Sequence, residues 1–96
     1  METYFMFGKY SAEAFNQISA QRTQDAIATI KSFGGEVIAM YALIGKYDLV
    51  FIVNFPELGQ AMKASVALSR QTGITFTSSL AVSVEEFDKI IADIKK

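Results

Sequence analysis

Along this chain, stretches in which apolar residues crowd together in short runs alternate with stretches in which they recur at helical spacing. Residues 3–10 are aromatic-rich and run into Gly8-Lys9-Tyr10-Ser11, the pattern of a first strand leading to a turn. A short helix is predicted over residues 11–18. A longer one follows over residues 23–33, where Ala26, Ile27, Ile30 and Phe33 share a face and Gly34-Gly35 provides the stop. Two strands come next, over 36–43 and 47–55, joined by Ile44-Gly45-Lys46, which is short enough for an antiparallel hairpin. Pro56 ends the second of them and suits a first helical turn, so residues 56–70 read as a helix. Its predicted buried stripe is Leu58, Ala61, Met62, Ser65, Val66 and Ser69. Gly73 opens a fourth strand running through Val82.

The last segment carries the clearest local signal. Ser83-Val84-Glu85-Glu86 has the S-x-x-E form of a capping box, and Phe87, Ile90, Ile91 and Ile94 then fall on one helical face. Lys95 and Lys96 suit the negative end of that helix dipole. Strand, helix, strand, strand, helix, strand, helix is the order of a ferredoxin-like α+β fold, βαββαβ, with a four-stranded antiparallel sheet and one added carboxy-terminal helix. No linker, repeat or low-complexity stretch interrupts residues 1–96, which read as a single domain.

A sheet with helices on one side and water on the other should alternate apolar and polar positions. These strands do not. The first sets Phe5 and Phe7 against Tyr4, Met6 and Tyr10; the second sets Val37, Ala39, Tyr41 and Leu43 against Ile38, Met40 and Ala42. In the third, Tyr47, Leu49, Phe51 and Val53 oppose Val50 and Ile52. Leaving one face wet forgoes about 1.5–3 kcal/mol for each large side chain. A second copy packing sheet against sheet is the expected cover, which makes a dimeric α/β barrel with a twofold interface.

Composition sharpens that expectation. A 96-residue chain has little interior, yet 51% of its residues are hydrophobic and only 20% charged. A net charge of −1 without a basic run argues against nucleic acid as a partner. With neither cysteine nor histidine, disulfides, thiolate or imidazole metal sites and Ser-His or Cys-His catalysis are closed off. No glycine arrangement forms a phosphate-binding loop, and no cofactor or metal is expected. Met1-Glu2-Thr3-Tyr4 lacks the basic region of a leader, and no apolar run is long enough to span a bilayer. The expectation is a soluble cytoplasmic protein without a membrane partner.

The hairpin Gly45-Lys46-Tyr47-Asp48, taken with Gly8-Lys9-Tyr10-Ser11, Ser19-Ala20-Gln21-Arg22, Gly34-Gly35-Glu36 and Glu85-Glu86-Phe87, resembles the GYD domain family nearly end to end. That resemblance implies a dimeric α/β barrel and little settled biochemistry. Effector-binding domains of leucine-responsive-type regulators are similar in fold and in their Gly-x-Tyr-Asp hairpin, which points by analogy to small-molecule sensing.

Carboxylates, tyrosines and one arginine remain as candidate chemistry. Asp48 is expected to accept hydrogen bonds from its own turn or from Arg22; its functional alternative is a general base. Tyr41 and Tyr47 are expected on one strand face near the hairpin's open end, where with Met6 or Met40 and Thr77 or Ser79 they line a mostly apolar pocket with a few polar groups. Tyr4 and Tyr10 are further candidates, and the alternative for each tyrosine is core filling with a satisfied hydroxyl. Arg22 supplies charge for an anionic ligand or pairs with a surface acid. The leading expectation is a homo-oligomeric module binding a small apolar or aromatic molecule. Behind it stand a cofactor-independent enzyme acting on an aromatic or polyketide-like substrate, with Asp48 moving protons, and a structural assembly role.

Overall fold

A computed structural model describes residues 1–94. The chain runs β1 (Glu2–Tyr10), α1 (Ala12–Asn16), α2 (Ala20–Ser32), β2 (Glu36–Ala42), β3 (Leu49–Phe55), α3 (Leu58–Thr72), β4 (Ile74–Ala81) and α4 (Val84–Ile91). Its four strands form one antiparallel sheet in the order β2-β3-β1-β4. This is the expected ferredoxin-like α+β arrangement with an added helix.

Side chains alternate across the β1 backbone, so Tyr4 and Met6 point to the face covered by α2 and α3. There they meet Val53 and Phe55 of β3, Ile30 of α2 and Leu68 of α3, which together are the largest fully buried side chains. Tyr4 and Phe55 meet edge to face at 6.0 Å.

Helix ends follow their local chemistry. Ser11, Ser19 and Ser83 each cap a helix by accepting a main-chain N–H three residues on. Because Ser19 is such a cap, α2 begins at Ala20, earlier than residue 23 where the apolar periodicity starts. At Ser83 the serine half of the capping box forms, and the reciprocal bond from the Glu86 carboxylate does not. Gly73 ends α3 in the left-handed conformation at φ 74°, so β4 starts one residue later. Pro56 precedes α3, whose first residue is Leu58. The tail lysines Lys95 and Lys96 lie outside the described residues.

The buried stripe of α3 differs from the one its large side chains predict. Ala61, Ala64, Leu68 and Thr72 face the sheet, while Leu58, Met62 and Val66 lie exposed. Small residues at Ala61 and Ala64 let the helix axis come close to β1 and β3, and close approach decides the facing side over bulk.

Two strand expectations are also corrected. Register shifts between Val37 and Ala39, so a bulge breaks the period-two pattern of β2: Val37 and Met40 pair with Val53 and Phe51, whereas Ala39 and Tyr41 pair with Ile52 and Val50 on the opposite face. β3 begins at Leu49, and Tyr47 stands apart from Leu49, Phe51 and Val53.

The apolar side of α4 is left largely open within the described chain. Phe87, Ile90 and Ile94 are each more than half exposed, and no described residue of the helix is buried. Its projection explains a radius of gyration of 14.9 Å, when a compact chain of this length would have about 12–13 Å.

Candidate functional site

Residues paired across an antiparallel ladder share a face. Phe5 pairs with Ile52 and Ser79, Phe7 with Val50 and Thr77, and Tyr41 with Val50, all on the face away from α2 and α3. The resulting surface has an aromatic and aliphatic centre bordered on the β4 side by the hydroxyls of Thr75, Thr77 and Ser79. Asn54 lies at its other end, where Thr3 Oγ1 donates to Asn54 Oδ1 at 2.7 Å. Tyr47 reaches this face by stacking on Phe7 with ring centroids 5.1 Å apart. At the end where α4 departs, Thr3, Phe5, Ile52 and Glu86 wall a groove of about 660 Å³.

The hairpin that delivers Tyr47 is held by Asp48. Its N–H donates to the Gly8 carbonyl at 2.8 Å, and its Oδ2 accepts the Tyr10 N–H at 2.7 Å. β3 leaves the ladder before it can offer Tyr10 a main-chain acceptor, and the carboxylate takes that place. Leu49 packs over Gly8, where a Cβ would come within 2.6 Å of Leu49 Cδ1 and push that side chain aside. The Asp48 carboxylate therefore bonds across strands, to neither its own turn nor Arg22, while its main-chain carbonyl closes the turn by accepting the Leu43 N–H at 2.8 Å.

Arg22 instead turns toward α1 and β1. Nη1 donates to the Ala14 carbonyl, and the guanidinium carbon sits 5.3 Å from the Tyr10 ring centroid. Ser19 and Arg22 of α2's first turn line a cavity of about 70 Å³ together with Tyr10, Leu49, Phe51 and Phe76 of the sheet. No acidic residue lines it.

Elsewhere the chemistry is sparse. Burial pushes the Tyr4 phenol up to about 12, aided by the Glu2 carboxylate, which accepts its hydroxyl at 2.7 Å. Among the described residues no cluster of three acidic groups is placed to hold a metal ion, and no helix is long and apolar enough to cross a membrane.

The sequence model of the GYD domain matches residues 4–91, which takes in the hairpin, both strand faces and all of α4. The chain belongs to the GYD domain family. No curated protein sequence matches it. Among solved structures, this GYD chain is similar to the leucine response regulatory protein of Mycobacterium tuberculosis, with TM-score 0.57 and 13% identity over 85% of this chain and 51% of that one. It is similarly related to an AsnC family transcriptional regulator from Agrobacterium tumefaciens, with TM-score 0.58 and 17% identity over 85% of this chain and 50% of that one. The GYD chain thus spans about half the length of these structures, and the likeness is one of fold.

Within the GYD fold, the eight candidate residues divide between two faces and do not converge. Tyr41, Tyr47 and Thr77 share the open face. Tyr4 and Met6 are fully buried in the core on the opposite side, Met40 packs against that core, and Arg22 lines the separate cavity. Asp48 is committed to the hairpin. Missing from the candidates were Phe5, Phe7 and Ile52 on the open face, while Tyr10, a further candidate tyrosine, lies at the cavity instead. Alternation along β1 was the signal for the first two; no sequence signal places Tyr10 under Arg22.

Proposed function

We propose that this GYD domain is a homo-oligomeric module that binds a small, largely apolar or aromatic molecule between two apposed sheets. The observation that carries this reading is the open face: Phe5, Phe7, Tyr41, Tyr47 and Ile52 gathered on a surface that neither α2 nor α3 covers, with hydroxyls along one border. A second copy facing the first encloses the apolar centre and leaves Thr75, Thr77 and Ser79 to orient a polar substituent, the usual make-up of a small-ligand site. Fold likeness to regulators supports a sensing role by analogy. The bond from the Tyr10 N–H to Asp48 Oδ2 supports the structural reading of Asp48 as a hairpin brace.

The test couples light scattering with thermal unfolding in the presence of aromatic and aliphatic metabolites. A dimer or larger state whose Tm rises with one compound class, in proportion to the logarithm of its concentration, is the expected result. A stable monomer that no compound stabilises refutes the reading. Oligomers indifferent to every compound would favour a purely structural assembly role.

A further inference from the structure

The cavity beneath α2 is a different place from the open face and lies wholly within one chain. Its lining has two kinds of chemistry. In one part, the Arg22 guanidinium lies over the Tyr10 ring, next to the Ser19 cap where α2 presents the positive end of its dipole. In another, Phe51 and Phe76 meet with ring centroids 5.5 Å apart.

The guanidinium carries more donors than the Ala14 carbonyl uses, and the lining holds no carboxylate to receive them. A half-buried cation of this kind has lost part of its hydration without gaining an ion pair among the described residues. An anion entering the cavity would find a charge-assisted, forked donor. The aromatic part of the lining would not hydrate it, so the ligand that fits both parts is charged at one end and apolar at the other.

Size limits the choice. At about 10–15 Å³ for each water-sized position, a cavity of about 70 Å³ holds roughly five or six heavy atoms. We propose that this cavity binds a small aliphatic monocarboxylate of roughly two to four carbons, its carboxylate on Arg22 beside Tyr10 and its tail against Phe51 and Phe76. The site needs no second copy and stands or falls independently of the face-to-face assembly.

The test is a titration of the isotopically labelled full chain with sodium acetate, propionate and butyrate, followed by amide and arginine side-chain NMR. Sodium chloride at matched ionic strength and butan-1-ol serve as the charge-only and tail-only arms. Saturable shifts at residues 19–23 and Tyr10 with a carboxylate, and none in the two control arms, are expected. Arg22→Gln should weaken binding roughly ten- to hundredfold, the loss of a hydrogen bond to a charged group. Because Arg22 also ties α1 to α2, Ala26→Leu provides a second variant: Ala26 lines the cavity, and the larger side chain fills it while leaving the cation in place. Ala26→Leu should abolish the shifts while the amide spectrum away from the cavity stays that of the folded wild type. Equal shifts with chloride, or unchanged butyrate affinity in Ala26→Leu, would overturn the proposal.

Discussion

The Asp48 carboxylate accepts the Tyr10 main-chain N–H at 2.7 Å, while the Asp48 N–H donates to Gly8 at 2.8 Å, so one residue closes the end of the β1–β3 ladder twice. Asp48→Ala leaves the Tyr10 N–H without its acceptor and should cost about 1–3 kcal/mol in urea unfolding. Asp48→Asn keeps an oxygen at the same reach and should recover most of that loss. Equal destabilisation by the two variants would mean that the charge, not the acceptor, is what the hairpin requires.

Two glycines make an opposed pair. A Cβ on Gly35 would lie 2.9 Å from the Ile30 carbonyl oxygen and 2.5 Å from Phe55 Cε1, and backbone cannot step aside as a flexible side chain can. Gly35→Ala should therefore destabilise by about 1–3 kcal/mol. Gly59, in the first turn of α3, has nothing within 4 Å of a new Cβ. Gly59→Ala should stabilise by about 0.4–1 kcal/mol, chiefly by restricting the unfolded chain. Both are read from the same denaturation series.

Ile52 sits mid-face, paired with Phe5 on one side and Ala39 on the other. Ile52→Lys puts a charge at the centre of the proposed sheet-to-sheet contact and leaves the core between sheet and helices untouched. Light scattering should report monomers, with the far-ultraviolet dichroism of the wild type. Retention of the oligomer would move the interface elsewhere.

Tyr4 should set an alkaline limit on stability. Its phenol, raised to about 12 in the folded chain against about 10 when unfolded, keeps its proton in the native state at pH values where the unfolded chain has lost it. The associated stability is complete below pH of about 10 and is lost as pH rises toward about 12. Thermal melts across that window should show a falling Tm, and Tyr4→Phe should flatten the fall while changing stability near neutrality by only about 0.5–1.5 kcal/mol, the worth of one hydrogen bond.

The fold was readable because its signals are local: the stop at Gly34-Gly35, the Ser83 cap, and strand runs too apolar for one wet face. What sequence did not show were distances between elements. Met62 and Val66 have the bulk of core residues, but Ala61 and Ala64 admit a closer helix-to-sheet approach and take the buried positions. A bulge at Val37/Ala39 exchanged the faces of β2 beyond it, which no residue type near Ile38 announces. Among the site residues, Tyr41 and Tyr47 do share a face, although Tyr47 reaches it through the bend before β3 and its stacking on Phe7. Tyr4 and Met6 follow the same alternation inward, because residues one apart on a strand look in opposite directions.

The irregularity in β2 lies at a margin of the sheet, since β2 and β4 are the outer strands. An incoming strand lengthening the sheet along β2 would lose register where the spacing slips between Val37 and Ala39, a common guard against runaway edgewise growth. Built into seven residues is thus a local irregularity that works against extension of the sheet past β2.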